Sequence, residues 1–128
     1  MQRCKGTKAQ SKKMQEIKIY RDLIIWQKAI KLVIKTYKIA KSFLKEEVYS
    51  LTSQIRRSSI SIPSNIAEGY GRKAKKKYTR FLQISLGSLF ELQTQLEISF
   101  NLKYLDKNLF EDTRELECMR SSLIDKLK

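Results

Sequence analysis

An all-α fold, an antiparallel up-down-up-down four-helix bundle, is what this sequence predicts, on three observations. Only one Pro and four Gly occur in 128 residues, so little in the chain opposes helix. Apolar residues recur at alternating spacings of three and four in four separate segments, the period of one face of a helix. The joints between those segments are short, which favours antiparallel neighbours over a coiled coil, the runner-up architecture. A chain of this length has room for one domain with one modest core. The expected division is a flexible basic arm at 1–18, polar and aperiodic, and a bundle domain at 19–128.

The first helix is expected over about 23–44, roughly 33 Å long, with Asp22 as its N-cap. One stripe contains Leu23, Trp26, Ile30, Val33, Tyr37, Ala40 and Leu44. A second stripe beside it contains Ile25, Ala29, Leu32, Ile39 and Phe43. Lys28, Lys31, Lys35, Lys38 and Lys45 occupy the opposite face, and residues 45–50 make the first turn. A second helix, about 49–69, places Leu51, Ile55, Ser59, Ile62 and Ile66 on one face, while Ser58, Ser59 and Ser61 would let a neighbour approach closely. Pro63 falls inside it and predicts a kink, because the Ser59 carbonyl loses its usual donor. Gly69 and Gly71 end the helix, Gly69 suiting the left-handed position past its C-terminus.

The third helix, starting near 73–75, has the cleanest period: Tyr78, Leu82, Ser85, Leu89, Leu92, Leu96 and Ser99. Residues 104–108 form the last turn, after which Leu109, Leu116, Met119, Leu123 and Leu127 mark a fourth amphipathic helix. Phe81, Leu86, Phe90, Ile98 and Phe100 lie off the third seam. With the second stripe of the first helix, they give more apolar surface than one bundle core uses. Large exposed apolar patches are uncommon on soluble monomers, so self-association is expected.

The net charge is +14. Residues 1–18 carry six Lys/Arg against one acid, 19–104 sixteen against six, and 105–128 five against six. A basic body beside a balanced last helix points to a polyanion partner; the alternative is charge that only maintains solubility. No apolar run approaches the roughly 18 residues of a membrane span, and the basic start lacks an apolar signal core. Cys4 and Cys118 are far apart without CxxC spacing and are expected as free thiols in a cytoplasmic protein.

Catalytic signatures are absent. The chain has no His, which removes Ser-His-Asp chemistry, the commonest general base and His-containing zinc sites. Glu68, Glu91 and Glu97 lack the Glu-x-x-His companions of a carboxylate di-metal centre. Gly69-Tyr70-Gly71-Arg72 lacks the strand context and GK[ST] ending of a phosphate loop. No enzyme, cofactor or metal is expected. Two basic constellations remain. Arg57, Ser61, Ser64 and Glu68 share one helical face, and Glu91 is a candidate carboxylate for Arg56 or Arg57. These arginines read either as an ion pair fixing register or as bidentate phosphate grips. The second is Arg72, Lys73, Lys75, Lys76, Lys77 and Arg80 at the start of the third helix, where cations oppose the macrodipole. With Tyr70 and Tyr78 interleaved, it reads as phosphate contact plus base stacking, or else as a solvated charge run.

Several of these stretches resemble a known family. They are Leu23 with Trp26-Gln27-Lys28-Ala29, Ser50-Leu51-Thr52-Ser53-Gln54-Ile55-Arg56-Arg57 and Ser61-Ile62-Pro63-Ser64-Asn65-Ile66-Ala67-Glu68-Gly69, followed by Phe81-Leu82, Gly87-Ser88-Leu89 and Glu91-Leu92-Gln93-Thr94-Gln95-Leu96. Together, over roughly 20–105, they resemble the bacterial four-helix-bundle proteins encoded in intervening sequences of 23S ribosomal RNA genes. The resemblance implies a subunit of a ring, typically a homopentamer, without catalytic activity. That family is also similar to the accessory variability protein of diversity-generating retroelements, a basic pentameric barrel that binds a reverse transcriptase and nucleic acid. Carried over by position, Arg56, Arg57 and the basic loop after Gly69 become the nucleic-acid contacts. The expectation is a non-enzymatic homo-oligomeric scaffold for nucleic acid, RNA rather than DNA, with a reverse transcriptase or ribosomal RNA as candidate partner. The alternative is an interaction module for an acidic protein.

Overall fold

The computed structural model describes residues 16–41 and 49–127. A 3-10 turn, Tyr20–Asp22, precedes four helices: α1 (Ile24–Ala40), α2 (Tyr49–Gly71), α3 (Lys75–Asn101) and α4 (Phe110–Leu127). No strand occurs among the described residues. Residues 1–15 of the expected arm, and Phe43, Leu44 and Lys45 of the first helix and turn, lie outside them.

Each helix packs on its neighbours in the chain, and α1 also packs on α4; the α2–α3 contact is the most extensive. The expected α3 seam is buried throughout, with Leu82, Leu92 and Leu96 fully enclosed. Burying each such side chain contributes about 2 kcal/mol. Ile55, Ile62 and Ile66 of α2 and Leu116 and Met119 of α4 meet them in one core.

Helix α1 sits on the core through the stripe read as secondary. Ile25, Ala29 and Leu32 of that stripe are buried, with Thr36 beside them; of the first stripe Leu23 and Ala40 are buried, whereas Trp26, Ile30, Val33 and Tyr37 are half-buried. Ile25, at 3% exposure, therefore adds nothing to the apolar surplus. Two adjacent apolar stripes leave the phase of a helix open, and packing against both α2 and α4 settles it.

The serines of α2 mediate its approach to α3. Ser61 and Ser88 share a hydroxyl–hydroxyl hydrogen bond of 2.7 Å, and Ser85 donates to the Ile62 carbonyl at 3.1 Å. Helix α2 runs through buried Pro63 as one element. Gly69 stays helical instead of turning left-handed: no glycine among the described residues has positive φ. Its requirement is space, since a Cβ there would lie 2.6 Å from the Phe81 Cβ. The left-handed residue that ends α2 is Lys73, at φ 57°.

Asp22 caps the 3-10 turn, not α1, whose N-cap is Leu23 without a side-chain hydrogen bond. The Asp22 carboxylate accepts the Ile19 and Lys18 backbone N–H groups at 3.1 and 2.9 Å. These bonds, Ile19 foremost, hold its pKa below the ordinary value. Cys118 is buried and disulfide-bonded, correcting the expected free thiol; Cys4 lies outside the described residues. No helix among the described residues is long and apolar enough to cross a membrane.

Candidate nucleic-acid interface

The corner between α2 and α3 is three residues long, Arg72 to Ala74. The Arg72 and Lys73 N–H groups close it by donating to the Gly69 and Tyr70 carbonyls at 3.2 and 3.3 Å. The left-handed Lys73 reverses the chain, and Ala74 enters α3 in extended conformation with no side-chain cap. The first turn of α3 contains no acid. Its free N–H groups and the side chains of Lys75, Lys76 and Lys77 therefore occupy one end of one helix. Lys73, Lys75, Lys76, Lys77 and Arg80 are all exposed, and none forms an ion pair among the described residues. Arg72 differs: its guanidinium lies 3.6 Å from the Glu68 carboxylate and stacks over the Phe81 ring at 5.5 Å.

The structure corrects the expected interleaving of tyrosines. Tyr78 is 9% exposed and belongs to the core, so it offers no face to a base. Its ring meets Tyr70 edge-on, with centroids 5.7 Å apart. The Tyr78 hydroxyl is buried with no hydrogen-bond partner among the described residues. Burial, assisted by neighbouring Tyr70, pushes its pKa up to about 12. Tyr70 is half-buried and donates through its hydroxyl to the Ile17 carbonyl at 3.3 Å.

Arg56 and Arg57 do not join this corner. Arg56 is sixteen residues before Arg72 along the chain, about 24 Å along the axis of α2. Neither arginine pairs with Glu91, so the register-fixing ion pair is not formed. The Arg56 guanidinium stacks over the Tyr37 ring at 5.1 Å, while its Nε is buried without a hydrogen-bond partner among the described residues; Arg57 and Glu91 are exposed. Of the expected polar face on α2, Ser61 bonds to Ser88 and Ser64 to the Ile60 carbonyl.

Two features escaped the sequence reading. On α1, Lys28 and Lys35 reach α4, where Glu115 and Asp112 receive them at 3.6 and 2.6 Å. A groove of about 240 Å³ between these helices is lined by Lys28, Lys31, Lys35, Asp112 and Glu115. Spacing alone shows lysines at a helical period, not which carboxylates a distant helix offers them. The second is a strap over 17–22, with Ile17 tied to Tyr70, Tyr20 edge-on to Trp26 at 5.2 Å, and Arg21 over the Trp26 ring at 5.4 Å. It brings the end of the basic arm beside the α2–α3 corner. No group of three or more His, Cys, Asp or Glu able to hold a metal occurs among the described residues.

No curated protein matches the chain. A family model, that of the 23S rRNA-intervening sequence protein, matches residues 21–124 and so extends well into α4, past residue 105, where the recognisable motifs stop. With four helices and this match over most of its length, the chain belongs to the 23S rRNA-intervening sequence protein family.

Proposed function

We propose that this protein is a non-enzymatic, homo-oligomeric scaffold that binds nucleic acid through the α2–α3 corner. The observation that carries this reading is the contrast between two sets of cations. Lys28 and Lys35 are neutralised by α4 carboxylates, whereas Lys73, Lys75, Lys76, Lys77 and Arg80 stand together in solvent with no carboxylate partner among the described residues. Concentrated unpaired charge at a helix N-terminus costs stability unless a polyanion shares the site. Recognition is of phosphates, with little reading of base identity, and Arg56 and Arg57 form a separate, secondary contact. The link of the family with 23S rRNA supports RNA over DNA. Helix packing of α1 on α2 and α4, and of α3 on the same two, supports an antiparallel up-down-up-down bundle. Exposed Ile84, Phe90, Ile98 and Phe100 on α3 support assembly into a ring, a homopentamer in the family reading.

Titration of structured RNA against salt tests the binding. The logarithm of affinity should fall linearly with that of salt concentration, by about 0.7–0.9 per phosphate neutralised. Replacing Lys75, Lys76 and Lys77 by Gln should weaken binding and lower the slope by roughly 2–3. Tight binding that ignores salt, or none at low salt, overturns the reading. Capture of an acidic protein that survives nuclease, with no RNA affinity, would establish the alternative module.

A further inference from the structure

Between Phe81 and Leu102 the chain contains no Lys or Arg, although 27 of its 128 residues are basic. This stretch is most of α3, and its outward side is apolar and acidic. Ile84, Phe90 and Ile98 are 42%, 45% and 46% exposed. Ile84, Glu91 and Ile98 recur every seven residues and so lie on one line along the helix, with Phe90 and Glu97 on the next. The outward side of α1 is the inverse. No Asp or Glu occurs from Leu23 to Lys45. Ile34, 51% exposed, sits between Lys31 and Lys38, neither of which has a carboxylate partner among the described residues. Their neighbours Lys28 and Lys35 are already held by α4.

A chain of net charge +14 repels its own copies unless contact sets a cation-free face against a cationic one. Helices α1 and α3 supply that pair. Each packs on both α2 and α4, so the outward faces of α1 and α3 point to opposite sides and do not meet within one molecule. We infer that, given the self-association proposed above, subunits join head to tail. The α3 face of one copy, with Ile84, Glu91 and Ile98, seats on the α1 face of the next, with Lys31, Ile34 and Lys38. Ile34 seats beside one isoleucine of α3, and the lysines that flank it reach Glu91 and Glu97. Such a heterologous contact repeats around a ring when its rotation closes, whereas a face packing on its own copy stops at two. An α3–α3 contact would also oppose Glu91 to Glu91.

Charge reversal on the full chain tests this. One variant carries E91K and E97K, the other K31E and K38E; all four side chains are exposed, and circular dichroism verifies the fold. By sedimentation at micromolar concentration, the wild type should assemble and each variant alone should be monomeric. A third variant carrying all four reversals should reassemble as the wild type does, because reversed α3 then meets reversed α1 at every contact, whatever the number of subunits. Either double variant keeping the wild-type assembly, or the fourfold variant staying monomeric, overturns the head-to-tail contact while leaving self-association standing. A monomeric wild type instead overturns self-association itself, and this inference with it.

Discussion

Replacing Gly69 by Ala pits helix propensity against packing at a single atom. Inside an unobstructed helix the change would favour folding by about 1 kcal/mol. Here the added Cβ would lie 2.6 Å from the Phe81 Cβ and 3.3 Å from a ring carbon of Tyr78, where ordinary contact starts near 3.4 Å. The Phe81 Cβ is bonded directly to the α3 backbone, so no rotamer moves it away; α2 and α3 must part by most of an ångström. Overpacking of this kind costs about 1–3 kcal/mol, and parting the helices also forfeits dispersion along the seam closed by the Ser61–Ser88 and Ser85–Ile62 bonds. The sum is a net loss of about 1–2 kcal/mol. At roughly 4 °C per kcal/mol for a chain of this size, Tm should fall by about 4–8 °C. The assay is thermal denaturation by far-ultraviolet circular dichroism at one fixed protein concentration, because the proposed assembly would make Tm concentration-dependent. Gly71→Ala is the control: nothing lies within 4 Å of its Cβ, so Tm should hold or rise slightly. A Gly69→Ala protein that melts at or above the wild type would refute the close-approach account.

Two further perturbations follow from the same end of the molecule. Tyr78→Phe removes a buried hydroxyl that has no partner among the described residues and should stabilise the protein by about 1 kcal/mol in denaturant melts. Because the folded phenol titrates near 12 against an ordinary 10, wild-type stability should hold below pH 10 and decline as pH rises toward 12; the Tyr78→Phe variant should lack that decline. Asp22 titrates in the opposite sense: its backbone hydrogen bonds lower its pKa below 3.8. Its hold on the strap is full above that ordinary value and is lost as pH falls through the lowered one. Trp26, the only tryptophan, packs on Tyr20 and Arg21 and should report the release in fluorescence; Asp22→Asn should show the acid signal already at neutral pH.

The periodic parts of the fold were legible where one apolar stripe stood alone. On α3 every seam residue from Tyr78 to Ser99 is buried as its spacing implies. On α1 two stripes competed, and the core took Ile25, Ala29 and Leu32, because the choice is made by two other helices and not by local pattern. Gly69 looked like a helix terminator for the same reason: its real constraint, Phe81, comes from the facing helix. The cation cluster from Arg72 to Arg80 could be read directly from the sequence, since adjacent residues at a corner stay adjacent in space. Its separation from Arg56 and Arg57 followed only from the unbroken run of α2 through Pro63, and the burial of Tyr78 only from the phase of α3.

The short closure between α2 and α3 has a thermodynamic consequence for any ligand of the corner. With Gly69 against Phe81, three linking residues and a left-handed Lys73, the backbone bearing the lysines is immobilised before a ligand arrives. Association then spends entropy only on the lysine side chains. In the proposed function the protein would impose its own charge spacing on the nucleic acid, and the corner would act as a ruler for the distance between phosphates.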